Sequence, residues 1–165
     1  MHDFLQALIQ EWDILVESRA LFLLLTSLFC GALVGAEREY AAKPAGLRTN
    51  LMICVGSTLF TIASVFSWIH LTGESPTVDP GRIAAQVVSG VGFIGAGAIL
   101  RSGLHITGLT TAATIWFVAA IGVVIGLGFP LLGTLVALVG TLTLFLLGKF
   151  ELAHSKRFRE IEEEQ

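Results

Sequence analysis

Charged side chains are scarce in this sequence: they make up 14% of its 165 residues, against about 25% in an average soluble domain. Apolar residues make up 54%, and the mean hydropathy is +0.79. A soluble domain of this length has too little interior to bury so large an apolar fraction. The few basic residues form no patch, which argues against nucleic acid as a partner. The composition therefore predicts an integral membrane protein embedded in a lipid bilayer.

Cysteine is also rare, and the residues that usually carry chemistry do not cluster. Cys30 and Cys54 both lie inside apolar runs, so we interpret them as small packing residues rather than a disulfide or a metal site. The sequence contains no recognisable Ser-His-Asp set, metal-ligand motif or pair of intramembrane carboxylates, and His70 and His105 stand singly at span ends. We therefore expect no enzyme activity, no bound metal and no cofactor.

Apolar stretches are what the sequence has in abundance. Five of them approach the roughly 20 residues with which a helix crosses about 30 Å of hydrocarbon. None shows the alternation that barrel strands require, and a helix satisfies its own backbone hydrogen bonds in lipid. The predicted fold is thus an all-α transmembrane bundle of about five helices. The predicted spans are 20–36, 47–71, 82–100, 108–127 and 129–148.

The predicted transmembrane domain, residues 20–148, is flanked by two polar segments. Residues 1–19 contain four acidic residues and only Arg19 as a basic one, so they lack the basic start of a signal peptide. Their helical apolar spacing indicates an amphipathic helix on the membrane surface, or else an extension of the first span. Residues 149–165 form a charged tail that we expect to continue the last helix into the cytoplasm.

The basic residues predict the orientation. Eight lie on one side of the predicted spans and two on the other, and the richer side is normally cytoplasmic. We therefore expect the N-terminus outside and the C-terminus inside. The eight are Arg38, Lys43, Arg48, Arg101, Lys149, Lys156, Arg157 and Arg159, and the two are Arg19 and Arg82.

Glycines inside the spans predict close helix contacts. Gly31 with Gly35, and Gly122 with Gly126, form GxxxG pairs, and small residues let helix backbones approach closely in lipid. Packing within one bundle is the favoured interpretation, and a homodimer through one such face is the alternative.

The third predicted span carries Gly90, Gly92, Gly95 and Gly97. The first three spell GxGxxG, but a dinucleotide site also needs a preceding strand and a later acidic residue, which this segment lacks. We predict instead a thin central helix that other helices contact on several sides.

Polar side chains collect at the two predicted membrane edges. Such residues are usually snorkelling anchors or surface ion pairs, but here several helix ends present them on one side, which also fits an ion site or a docking surface. We hypothesise that Glu37, Arg38, Arg48 and Arg101 act together. The cytoplasmic-edge candidates are Glu37, Arg38, Glu39, Arg48, Thr49, Asn50, Arg101, Thr110 and Thr111, and the outer-edge candidates are Asp79, Arg82 and Gln86.

Four ordered blocks carry a family resemblance over roughly residues 20–148. They read GAERE at 35–39, AGLRTN at 45–50, DPGRIAAQVVSGVGFIGAG at 79–97 and GLTTAATIW at 108–116. The sequence resembles the MgtC/SapB family of bacterial inner-membrane proteins. The resemblance implies a multi-pass inner-membrane protein associated with magnesium homeostasis, growth and virulence under low magnesium, and membrane energetics.

The resemblance also implies a way of acting. The best-discussed family member binds other membrane proteins, including the proton-translocating ATP synthase. This sequence differs from that member in having Thr110 in place of an asparagine, and we expect no soluble C-terminal domain in it. We favour a non-enzymatic regulator that binds membrane proteins. The alternative is a small transporter or channel for magnesium or another cation, for which only Glu37, Glu39 and Asp79 could supply carboxylates near the spans.

Overall fold

The computed structural model describes residues 5–6, 19–71, 81–102 and 105–163, which form a helical bundle with one short hairpin. The all-α prediction is confirmed. The helices are α1 (Ala20–Tyr40), α2 (Leu47–Leu71), α3 (Arg82–Gly97), α4 (Leu109–Gly126) and α5 (Pro130–Glu163), and the strands are β1 (Leu100–Ser102) and β2 (His105–Thr107). Helices α1, α2, α4 and α5 are long and apolar enough to cross a membrane. The predicted surface helix over 1–19 lies outside the described residues, apart from residues 5–6 and 19.

Helix α3 is shorter than its predicted span. It ends at Gly97, and its 16 residues cover about 24 Å at ~1.5 Å per residue. Strands β1 and β2 then pair antiparallel in the segment that joins α3 to α4. Gly108 follows the hairpin with φ +88°, and a side chain there would also strike Ala98 O. Only glycine meets both demands, so the return into α4 depends on this residue.

Helix α2 packs between α1 and α4. A Cβ atom on Gly31 would lie 2.8 Å from Cys54 Cβ, and one on Gly35 would lie 2.8 Å from Leu47 Cα. On the other side, a Cβ on Gly122 would lie 2.8 Å from Ser57 Cβ. A Cβ on Gly126 would lie 2.6 Å from Thr61 Cβ. All four glycines of the two GxxxG pairs therefore lie where helices approach closely.

The remaining core is apolar and closed. It forms where α1, α2 and α4 meet α5, and its fully buried side chains include Val34, Val118, Ile121 and Ile125. Cys30 and Cys54 are free thiols buried in this core, which fits their interpretation as packing residues. Helix α3 packs at the edge of the bundle against α4 and α2.

Candidate functional site

A stripe of buried polar side chains follows the inner face of α2. Its members are Asn50, Ser57, Thr58, Thr61 and Ser64. Thr58 Oγ1 lies 3.0 Å from Cys54 O in its own helix and 2.9 Å from Gly122 O in α4, so this hydroxyl links two helices. From the sequence we expect Asn50 at the membrane edge and do not single out the hydroxyl residues of α2. The signal that could identify them is their spacing of three or four residues, which places them on one face of a helix.

At one end of the bundle, α1 finishes with a buried ion pair. Arg38 Nε and Nη2 donate to the Glu37 carboxylate at 2.5 and 2.7 Å. The Arg38 side chain is 3% exposed and that of Glu37 is 7% exposed. Because the two opposite charges neutralise each other, the pair is tolerable in a place where a single charge would be costly. Arg38 Nη1 is buried and finds no partner among the described residues.

The turn between α1 and α2, residues 41–46, is held by side chains from both helices. Asn50 Nδ2 donates to Ala45 O at 2.7 Å and to Gly46 O at 2.9 Å. Glu39 Oε2 accepts a hydrogen bond from Leu47 N at 2.8 Å, which satisfies a free amide at the start of α2. Ala45 is buried in an apolar cluster with residues of α3 and α4. We call Glu37, Arg38, Glu39, Asn50 and this turn the polar end.

The four residues that we hypothesised to act together lie in different surroundings. Glu37 pairs with the adjacent Arg38. Arg48 projects into the surroundings from the first turn of α2, and Arg101 is exposed on β1. Arg48 is two residues from Asn50, and on a helix residues so spaced point in different directions. Burial of Asn50 therefore turns Arg48 outward.

The other predicted edge residues are spread over the surface of the bundle. Thr111 is buried, whereas Thr110 is exposed and lines a groove of about 590 Å³ between α4 and α5. Arg82 and Gln86 are exposed on α3, and Gln86 lines a groove of about 510 Å³ between α2 and α3. Asp79 lies outside the described residues. In the described part of the chain, no three His, Cys, Asp or Glu side chains converge as metal ligands would.

Among the described residues, α3 does not have the central position predicted for it. Gly95 does pack against Ala112 of α4, but a Cβ on Gly90, Gly92 or Gly97 would meet no described residue within 4 Å. The reason is that α3 uses a single stripe for packing, formed by Ala84, Val87, Val91 and Gly95, and the other three glycines fall outside it.

The exposed surfaces of α3 and α5 differ in composition. One exposed stripe of α3 consists of the small residues Ala85, Ser89, Gly92 and Ala96, and the exposed side chains of Gln86 and Phe93 lie beside it. The exposed face of α5 consists of large apolar residues: Leu131, Leu132, Leu135, Leu138, Val139 and Leu142. Large apolar residues suit contact with lipid chains, whereas small ones are typical of helix–helix interfaces in membranes.

The long apolar helices, the leucine-rich outer face of α5 and the buried polar stripe together define a multi-pass α-helical membrane protein. The MgtC family model matches residues 24–153. The chain belongs to the MgtC family.

Several curated proteins resemble the chain. It is 50% identical over 105 residues to the Protein MgtC of Salmonella typhimurium (strain 14028s / SGSC 2262), covering 64% of this chain and 42% of that protein. It is 54% identical over 112 residues to the Putative magnesium transporter YhiD of Escherichia coli (strain K12), covering 67% of this chain and 52% of that protein. It is 39% identical over 143 residues to the Uncharacterized protein slr0014 of Synechocystis sp. (strain ATCC 27184 / PCC 6803 / Kazusa), covering 85% of this chain and 56% of that protein.

The chain thus spans about half the length of the curated relatives it matches. No solved structure matches it.

Proposed function

We propose that this chain is a non-enzymatic protein of the bacterial inner membrane that acts by binding other membrane proteins through the exposed face of α3. The observation that carries the proposal is a stripe of small exposed residues on that face. Ala85, Ser89, Gly92 and Ala96 are exposed side by side, although small residues gain little from contact with lipid chains. They gain much more from a partner helix, whose backbone can approach them closely.

The interior of the bundle supports a binding role over a conducting one. The glycine contacts of α1 and α4 close both sides of α2. The hydroxyl of Thr61 donates to the Ser57 carbonyl of its own helix, at 2.8 Å, and Thr58 joins α2 to α4. The Thr58 hydroxyl therefore links two helices, and the Thr61 hydroxyl is engaged within its own helix. The carbonyl oxygens of Gly122 and Ser57 already accept these hydrogen bonds, so a cation bound to either carbonyl would have to compete with them.

The physiological setting that we propose is magnesium-related stress or membrane energetics. It rests on the family to which the chain belongs and on the name of the YhiD relative, which refers to magnesium. In this role the protein would regulate a transporter or another energy-converting membrane protein by binding it.

The test is co-purification from the native membrane. We expect Gly92→Leu to reduce the recovery of membrane-protein partners, because the leucine side chain would hold a partner helix away from the face. The matched control is Val139→Leu on the exposed face of α5, which should leave recovery unchanged. If both variants recover partners as well as the wild type does, α3 is not the binding face. Size measurement of the purified complex distinguishes a foreign partner from a second copy of the chain.

The second candidate is a cation transporter or channel, which the polar stripe of α2 and the name of the YhiD relative favour. Liposomes that contain the protein and enclose a magnesium-sensitive dye discriminate between the two candidate functions. If the protein is a regulator, the magnesium influx should equal that of protein-free liposomes. A saturable influx that Thr58→Val abolishes would establish transport instead, because Thr58 lies fully buried in the stripe.

A further inference from the structure

Two buried polar atoms at the polar end have no protein partner among the described residues: Arg38 Nη1 and Asn50 Oδ1. Arg38 is 3% exposed and Asn50 is fully buried. Buried polar groups almost always form hydrogen bonds, because an unmade bond in an apolar interior costs more than a formed one gains. Each of these two atoms, which lie at the same end of the bundle, therefore needs a hydrogen-bonding partner.

Both side chains belong to the interface between α1 and α2. Gly35 and Arg38 lie on the same buried stripe of α1, one turn apart. A Cβ on Gly35 would lie 3.2 Å from Asn50 Cβ, so Asn50 faces this stripe. Side chains on a helix lean toward its N-terminus, which carries the Arg38 side chain back toward the level of Gly35. Arg38 and Asn50 therefore approach the interface from its two sides at a similar depth.

The chemistry of the two atoms restricts what can bind between them. Arg38 Nη1 is a hydrogen-bond donor and needs an acceptor, whereas Asn50 Oδ1 is an acceptor and needs a donor. An anion offers no donor to Asn50, and a metal cation is repelled by the guanidinium. Because Glu37 already neutralises Arg38, the place carries no net charge that would attract an ion. The occupant that fits is small, neutral, and both a donor and an acceptor.

We propose that the polar end holds an ordered water molecule that accepts a hydrogen bond from Arg38 Nη1 and donates one to Asn50 Oδ1. Buried waters of this kind typically make about three hydrogen bonds to otherwise unsatisfied groups, and such waters also occur among transmembrane helices. The water completes a continuous network from the Glu37–Arg38 pair of α1, through Asn50, to the carbonyls of Ala45 and Gly46. It thereby links the end of α1 to the turn that precedes α2.

Water-edited solid-state NMR on the full chain in liposomes tests the proposal directly. Magnetisation that starts on water should reach the Arg38 side chain and the Asn50 carboxamide several times faster than it reaches the amide of Val118, which is fully buried in the apolar core. Transfer to the exposed side chain of Arg48 should be the fastest and serves as the reference for a group in contact with bulk water. Transfer to Arg38 and Asn50 as slow as that to Val118 would overturn the proposal.

Two further results identify the occupant. Asn50→Leu should slow transfer to the Arg38 side chain, whereas the control Thr61→Val should not, because Thr61 Oγ1 donates only to its own helix in the described structure. If the Asn50 variant does not fold, the wild-type measurement still decides. A measured nitrogen-to-oxygen distance within direct hydrogen-bonding range between Arg38 Nη1 and Asn50 Oδ1 would contradict the water. So would a shift of the Arg38 signal on titration with chloride.

Discussion

Replacing Gly122 by alanine tests whether close contact between α2 and α4 holds the bundle together. The new Cβ atom would strike Cys54 O and lie 2.8 Å from Ser57 Cβ, so the two helices must move apart. Overpacking of this kind costs about 1–3 kcal/mol. The movement also strains the hydrogen bond from Thr58 Oγ1 to Gly122 O, which measures 2.9 Å; such bonds between membrane helices contribute about 0.6 kcal/mol. We expect a loss of about 2–4 kcal/mol in the free energy of unfolding.

The matched control is Gly92→Ala on α3, where the added Cβ meets nothing within 4 Å. Alanine is the better helix former, so this variant should be unchanged or up to about 1 kcal/mol more stable. Unfolding by sodium dodecyl sulfate in mixed micelles, followed by the fluorescence of the three tryptophans, measures both variants. Equal effects of the two substitutions, or a larger loss in Gly92→Ala, would refute the conclusion that close packing of α2 against α4 stabilises the bundle.

Three further predictions concern the polar end and the orientation. A double-mutant cycle of Glu37→Gln with Arg38→Gln should show a coupling of about 0.5–3 kcal/mol, whereas Glu37→Gln with Arg48→Gln should be additive within about 0.5 kcal/mol. Coupling of Glu37 to Arg48 and not to Arg38 would contradict this expectation. Glu39→Ala should cost about 1 kcal/mol in thermal unfolding, because it removes the acceptor of the Leu47 amide, and Glu39→Gln should cost less. A green fluorescent protein fused to the C-terminus should fluoresce, and an alkaline phosphatase in its place should be inactive; the opposite pair of results would invert the predicted topology.

Much of the fold could be predicted from the sequence, because lipid leaves few alternatives to an apolar helix. The two GxxxG pairs point to close helix contacts because residues four apart in a helix share a face, and all four glycines lie against a neighbouring helix. The position of α3 could not be predicted from its glycines. A glycine permits close contact without showing which helix provides it, and among the described residues only one stripe of α3, from Ala84 to Gly95, meets other helices.

The site was harder to predict than the fold. Adjacent residues on a helix normally diverge, so the pairing of Glu37 with Arg38 depends on the end of α1, where long side chains can fold toward each other. The role of Asn50 depends on the path of the turn that it holds, which a sequence pattern does not reveal. The hairpin after α3 was missed because its strands have only three residues each, too few for a recognisable alternation.

Photocrosslinking in the native membrane tests the central claim, that the chain acts through partner proteins on α3, most directly. A benzoylphenylalanine is placed at Phe93 on α3 in one variant and at Leu131 on α5 in the other. The two positions are matched in exposure, at 84% and 85%, and differ in the helix that carries them. The account predicts protein crosslinks from position 93 and only lipid adducts from position 131. Lipid adducts alone from both positions would contradict it.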